Sequence, residues 1–511
     1  MIKRILFLVV IVCWSTPQAY STVSQGWKKN VLGDQSSPIY LYVKDMDGDG
    51  DLDVASTTNR HPLVWNSEVA WFRNNIDQGT PWEKFIISSS APEDNPITNA
   101  NGIIISDVDK DGHEDVVVGT GKVTENKGSV YWFKAPQDPN GIWQRYDVEL
   151  DASNSYFKIY TMDVNEDAME DIIVGGRQLA VIFINPGNPT QTGALWEKIP
   201  IGVETGSALY LDDVNGDGET DIVNSYLHGN VSWIDVDYVG GEVVFQRTMI
   251  EEALEYAFDV NCIDVNSDLK KDVLVSTLNV VGLYWYEAPA NAGNPWIQHT
   301  VSSTFNGTDI YTGDINGDVK IDLAASGAYI DKISWFEYSL VSGEYQWKEH
   351  VIDDSVNDPG DISLDDIDED GDLDVVVAGL REDQMIWYEN RLNDWDGDKI
   401  LNEIDNCPTI SNPYQEDSYP PPGNGKGDAC ECEGNFDGDN DCDGSNAATF
   451  KLDFGRNSFL RPCISTDTCN GDFECDGDVD GTDASRFKAD FGRNGFNNPC
   501  PIGATVPWCQ Y

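Results

Sequence analysis

The chain has 511 residues, with 32 Lys+Arg against 89 Asp+Glu, a formal net charge of −57 and a pI near 4.1. Such a surface repels phosphate and anionic headgroups, which weighs against nucleic-acid and peripheral-membrane functions. Hydrophobic residues at 40%, with 16 Trp, 21 Tyr and 18 Phe, argue against a charge-driven disordered chain and allow a large core.

Lys3-Arg4 precede an apolar run, Ile5 to Trp14, followed by Ser-Thr-Pro-Gln-Ala-Tyr-Ser with small residues at Ala19 and Ser21. This pattern predicts a secretory signal peptide over 1–21, cleaved between Ala19 and Thr22. The run is shorter than the ~20 apolar residues that span a bilayer. No later segment is long and apolar enough to cross, so no membrane span is expected after cleavage. The expected location is extracellular or cell-surface, where calcium is plentiful and disulfides persist.

From 22 to 392 the chain repeats itself. The string Asp-x-(Asp/Asn)-x-Asp-x-x-x-Asp starts at Asp45, Asp107, Asp163, Asp213, Asp264, Asp314 and Asp366. An aromatic strand follows each copy, marked by Trp71, Trp132, Phe183, Trp233, Trp285, Trp335 and Trp387. A second aromatic strand follows, opened by Trp82, Trp143, Trp196, Phe245, Trp296 and Trp347. Each unit reads as four strands: A leads into the acidic loop, B leaves it, C carries the first aromatic and D the second. Seven such units predict a mainly β chain, a seven-bladed β-propeller of four-stranded blades. The array opens with a spare D-type strand at Trp27 and ends on a C-type strand at Trp387. The N-terminal strand is therefore expected to complete the seventh blade and hide the open sheet edge.

Oxygen-bearing side chains at alternate loop positions suit a hard cation such as Ca²⁺. The expected ligands occupy positions 1, 3, 5 and 9, with a backbone carbonyl at 7. In the first three loops they are Asp45, Asp47, Asp49, Asp53; Asp107, Asp109, Asp111, Asp115; and Asp163, Asn165, Asp167, Asp171. In the next three they are Asp213, Asn215, Asp217, Asp221; Asp264, Asn266, Asp268, Asp272; and Asp314, Asn316, Asp318, Asp322. The seventh loop offers Asp366, Asp368, Asp370 and Asp374. Position 6 needs a sharp turn, which Gly50, Gly112, Gly218 and Gly371 supply. Ala168, Leu269 and Val319 stand there in the third, fifth and sixth loops, which are expected to bind more weakly or to turn differently. The strings beginning at Asp45 and Asp366 resemble the calcium loops of FG-GAP/VCBS repeats, as in integrin alpha-chain propellers. The resemblance covers roughly 27–390 and implies calcium on one face and a role in adhesion or ligand binding.

In antiparallel blades the A–B loops share one face and the B–C and D–A connections the other. The B–C connections of the first two units, and the segment between Trp82 and Asp107, are several residues longer than elsewhere. They carry Arg60, His61, Trp65, Asn95, Asn99, Lys122 and Glu125. Function concentrates on extended loops of rigid scaffolds, so Arg60, His61, Trp65 and Lys122 are the candidate ligand-binding residues.

After Asn390 the aromatic repeats stop. Residues 393–432 carry Asp394, Asp396, Asp398 and Asp405 with Cys407 and Cys430, and resemble a thrombospondin type 3 repeat. That resemblance implies calcium at the four Asp and a Cys407–Cys430 disulfide. Residues 433–511 contain a duplication: Asn435, Asp437, Asp439, Asp443 and Asn446 align with Asp472, Glu474, Asp476, Asp480 and Asp483. Each set is followed by Phe-Lys-x-Asp-Phe-Gly-Arg-Asn, and its spacing is that of an EF-hand loop. The pair resembles a type I dockerin, which implies calcium at these ten residues, short helices and a cohesin-like partner. The early Phe-Gly-Arg stop departs from the usual dockerin helix. Of 11 Cys, nine lie between 407 and 509, pointing to a small disulfide- and calcium-stabilised C-terminal region. Cys262 stands alone in a propeller strand and reads as a buried thiol.

The five His belong to no triad or metalloprotease pattern, and no catalytic residue is assigned. The leading expectation is a secreted calcium-binding module whose partner is a glycan or a cell-surface protein. The alternative is an extracellular polysaccharide lyase or hydrolase built on the same propeller.

Overall fold

The computed structural model describes residues 24–491 apart from 25, 59–66, 77–78, 80–81, 89–96, 98, 122–126, 139–140, 192, 203–207, 227–228, 279–281, 292, 395–397, 399, 401, 403, 409, 416–426, 428–441, 443, 458, 460–462, 464–470, 474–475 and 477. Seven antiparallel four-stranded sheets make the blades of a propeller, each in the order A-B-C-D. The A strands are Pro38–Lys44, Ala100–Ser106, Tyr156–Met162, Leu209–Asp212, Ala257–Ile263, Asp309–Gly313 and Pro359–Asp365. Each packs against the A strand of both neighbours, so the seven close a ring around a central channel.

The B strands leave the acidic loops as short runs such as Asp374–Gly379, buried along their whole length. Side chains on both faces of a B strand meet neighbouring blades, which is why these runs are continuously apolar or small. The C-strand indoles of Trp71, Trp132, Trp285, Trp335 and Trp387 fill the cores between blades. In blades four and six, strands C and D join through Gly240-Gly241 and Ser342-Gly343. Both residues of each pair have positive φ, the two-residue turn that matches strand twist.

The N-terminal strand, Trp27–Asp34, pairs antiparallel with Gln384–Asn390 and supplies the D strand of blade seven, as the repeat order predicts. Trp27 is 6% exposed in the core shared by blades six and seven. The strand is also pinned by polar contacts. Lys29 Nζ donates to Asp353 Oδ2 at 3.0 Å, and the Tyr388 hydroxyl donates to the same oxygen at 2.7 Å.

In the C-terminal region two ten-residue helices, α1 (Gly444–Asp453) and α2 (Gly481–Asp490), share a small core. Phe450 stacks on Phe487 at 4.8 Å between ring centres. Each helix ends just before the Phe-Gly-Arg segment. Cys407 and Cys463 are in disulfides, while Cys430, the partner expected for Cys407, lies outside the described residues. Cys262 is a buried free thiol, as expected.

Because ring closure is non-covalent, Trp27 is a keystone. Trp27→Ala should cost about 3–5 kcal/mol and lower the thermal midpoint by several degrees in calorimetry. An unchanged midpoint would mean the seventh blade closes without its indole.

Candidate metal centres

All seven A–B loops adopt one conformation. Loop positions 4 and 6 both have positive φ, from Gly48 and Gly50 in the first loop to Glu369 and Gly371 in the seventh. The expectation of a different turn in the loops without glycine is corrected here. Ala168, Leu269 and Val319 take φ of 70°, 68° and 69°. Hydrogen bonds override the steric cost, of order 1–2 kcal/mol for a residue with a Cβ. In every loop the first Asp accepts the position-6 N–H at its Oδ2, as in Val319 N–H to Asp314 at 2.7 Å. The position-5 Asp accepts the position-7 N–H in every loop.

The position-9 Asp is the buried member. Asp53, Asp115, Asp171, Asp272 and Asp322 are fully buried, and Asp221 and Asp374 nearly so. In every loop its Oδ2 accepts the position-2 N–H. In six blades its Oδ1 accepts a strand-C N–H, at or just beyond the strand's end in five, as Asn74 N–H does to Asp53 at 2.8 Å, and from Tyr338 within the strand in blade six. Burial outweighs these bonds. It pushes Asp53, Asp115, Asp221, Asp272 and Asp322 up to about 7, and Asp171 to about 6. A divalent cation is the partner that would hold such carboxylates ionised.

Ligand oxygens of Asp45, Asp47 and Asp53, of Asp107, Asp109 and Asp115, and of Asp366, Asp368 and Asp370 lie within 4.8 Å of one another. Loops three to six have Asn165, Asn215, Asn266 and Asn316 at position 3, so each presents one carboxylate fewer. In all four the Asn Oδ1 accepts the position-5 N–H. The first two loops also carry a cation of the chain. Arg73 pairs with Asp47 at 2.5 Å, and Lys134 bridges Asp109 and Asp111.

The seventh loop is the most charge-dense. Asp372, a backbone-carbonyl position in the sequence reading, has two buried carboxylate oxygens that accept no hydrogen bond. Burial, then Asp370, Asp368, Asp366 and Asp394, push it up to about 8. Asp394, expected in the next module, thus acts on the seventh propeller loop.

Further along, Asp398 accepts from Asn412 N–H at 2.6 Å and Asp405 from Cys407 N–H at 2.7 Å. Asp478, Asp480 and Asp483 converge at the start of α2, where Asp480 and Asp483 form a capping box. Asp478 was not among the expected ligands, although it continues the alternation of acids from Asp472. Asp472, Asp476 and Asn446 are described. Asn435, Asp437, Asp439, Asp443, Glu474 and Asp396 lie outside the described residues. So do the candidate ligand residues Arg60, His61, Trp65 and Lys122, with Asn95 and Glu125; Asn99 is described, at φ 54°.

A second cluster was missed from sequence. Lys158, on the A strand of blade three, reaches across the channel to the A strands of blades five, six and seven. Its Nζ lies 3.1 Å from Asp309 Oδ1 and 3.6 Å from Asp259 and Asp361. Each Asp also accepts a backbone N–H from the next blade: Ile310 to Asp259, Ile362 to Asp309 and Leu41 to Asp361. Burial opposes ionisation of all three. Lys158 and the flanking carboxyls still hold Asp309 down at about 2, while Asp259 and Asp361 are held well above the carboxylate range. The lysine therefore pairs most tightly with Asp309, and the two flanking carboxyls resist ionisation. The signal was available, because all four residues stand five places before their loop's first Asp.

The FG-GAP-like repeat family matches residues 45–118 and 264–325, which include the first, second, fifth and sixth acidic loops. The chain thus carries FG-GAP-like repeats in a seven-bladed propeller. No curated protein matches it. Among solved structures, it aligns with a chain in the crystal structure of S. cerevisiae core factor at 11% identity and a TM-score of 0.43. That alignment covers 71% of this chain and 60% of the core factor chain.

In metal-free protein the raised carboxylates bind protons in the folded state that the unfolded chain releases near 3.8. Their stabilising effect is complete at low pH and is lost as pH rises from about 4 to about 7. Melting temperatures measured in chelator should fall across that window, and saturating calcium should remove the fall. A pH-independent midpoint in chelator would contradict this. Separately, Lys158→Met leaves three buried carboxyls without their cation and should cost about 3–5 kcal/mol in denaturant unfolding.

Proposed function

We propose that this is an exported calcium-binding propeller acting as a binding module for a glycan or a surface protein. One observation carries the reading: seven loops hold the same ligand-presenting turn, even where Ala168, Leu269 and Val319 must sit at positive φ to do so. Buried loop oxygens without a hydrogen-bond partner, such as Asp109 Oδ1 and both of Asp372, support a cation at that face. Calcium fits the donor set, which is carboxylate, amide and carbonyl oxygen throughout. The signal-like N-terminus supports export, where calcium at millimolar levels would fill even modest sites. The ions would fix one face of the ring and leave the remaining loops and blade edges to engage a partner.

Calorimetric titration of chelator-treated protein should reveal several calcium sites, and calcium should raise the melting temperature as mass action requires. A glycan array and a binding screen on intact cells, each run with and without chelator, would identify the partner class. The absence of both calcium heat and a melting shift would overturn the reading. Release of unsaturated product from uronic-acid polysaccharides, seen by ultraviolet absorbance, would replace it with an enzymatic one.

A further inference from the structure

The C-strand aromatics share one position in the repeat, and three of the seven lack a ring opposite them on strand D: Phe183 faces Lys198, Trp387 faces Asn30 and Trp233 faces Thr248. Of these, Phe183 and Trp387 are buried and Trp233 is not. Trp71, Trp132, Trp285 and Trp335 each face a ring on strand D in register: Phe85, Tyr146, His299 and His350. The pairs stack at 4.8, 4.6, 4.2 and 4.3 Å, and all four indoles are buried. In blade four the same position holds Trp233, and the residue facing it is Thr248. Among the described residues no ring stacks on Trp233, and its side chain is only half-buried.

The uncovered indole lines a groove of about 1150 Å³ between blades four and five. Trp296, from the C–D connection of blade five, also lines it, and both indoles rest on one apolar cluster beneath. On the blade-five side stands Leu269, 94% exposed and held at positive φ. Gln246 and Asn294 bring amides to the groove, and no described residue engages either side chain. Its two lysines are already spent: Lys271 pairs with Asp212 at 2.7 Å and Lys270 with Asp268 at 3.3 Å.

We infer that this groove binds a neutral oligosaccharide, with Trp233 as the stacking platform. A pyranose ring has an apolar C–H face and a rim of hydroxyls. The flat indole matches the first, while the amides of Gln246 and Asn294 and the Thr248 hydroxyl match the second. Paired lysines and the acidic loops at the groove's ends disfavour an anionic ligand. A groove of this volume is large enough for more than a single small ligand, which suits a chain. The inference rests on the binding-module reading and gives it a location.

Thr248→Tyr is the discriminating variant. It rebuilds the cover that Tyr146 provides in blade two, shields the indole face and leaves the hidden core unchanged. The calcium-loaded full chain is titrated with cellohexaose, mannohexaose and xylohexaose, reading tryptophan fluorescence and heat. At least one should bind, and Thr248→Tyr and Trp233→Ala should each weaken it by about tenfold or more. The melting temperature of Thr248→Tyr should not fall below the wild-type value. Binding that survives both substitutions would overturn the groove while leaving the module reading intact. Binding of none of the three, or of a uronate hexamer only, would overturn the neutral-sugar assignment; the cell-binding screen would still test the protein-ligand branch independently.

Discussion

The structure depends on a buried aspartate repeated seven times at loop position 9. Its carboxylate is the one group that touches three parts of its blade. It begins strand B, it accepts the N–H that closes the acidic loop, and in six blades it accepts an N–H from strand C or from the residue just beyond it. A carboxylate placed in a β-sheet core is costly unless its oxygens are satisfied. Here they are satisfied by the backbone groups whose placement defines the blade. An Asn could offer one such oxygen but not two equivalent ones, and Glu would reach past both donors. The same residue explains why the loop conformation tolerates poor side chains at position 6. Once the aspartates at loop positions 1 and 9 have each captured amides from the loop, the backbone has no cheaper path through it, and Val319 accepts positive φ as Gly50 does.

The channel obeys a different logic. Five places before each loop's first Asp, where Lys158 and its three acids meet across the channel, the repeats diverge instead of agreeing. That ring holds Tyr40, Gly102, Lys158, Ala208, Asp259, Asp309 and Asp361. Seven identical residues could not fill it: seven acids would repel one another and seven tyrosines would not fit. The residues present divide the work. Three acids tie blade to blade through backbone N–H groups, and a single lysine from the far side neutralises them in part. Gly102 lets the A strand of blade three approach, since a Cβ there would lie 2.3 Å from the Phe157 carbonyl oxygen. Closure of the ring is thus electrostatic at its centre and apolar between its blades.

This contrast sets what could be read from sequence. Blade number, strand order, the acidic loops and the completion of blade seven by Trp27 were legible, because each is written seven times and agreement among copies is the signal. The channel cluster was not, although Lys158 and the three Asp share one register position, because its meaning lies in how different residues complement one another across the ring. The turn at Ala168, Leu269 and Val319 was misjudged for a related reason. Single-residue sterics favour glycine there, but the side-chain hydrogen bonds repeated in every loop decide the conformation. Asp394, just beyond the last propeller strand, also acts electrostatically on Asp370 and Asp372 of the seventh loop.

The same contrast indicates where in such a fold to look for specificity. A propeller spends its repeated residues on holding itself together, so a recognition surface must come from positions where one copy departs from the rest. Trp233 is such a departure made by subtraction. The indole is retained because blades four and five need it for packing, and its cover is missing: Thr248 stands where four other blades carry Phe, Tyr or His, whereas the rings facing Lys198 in blade three and Asn30 in blade seven are buried. A buried aromatic contributes to stability in proportion to the area hidden. Leaving one face of Trp233 bare forgoes part of that contribution in one blade of seven. A rigid, flat, solvent-facing ring already fixed by its neighbours loses little conformational freedom on binding. The scaffold's regularity is what makes that one exposed ring a usable site.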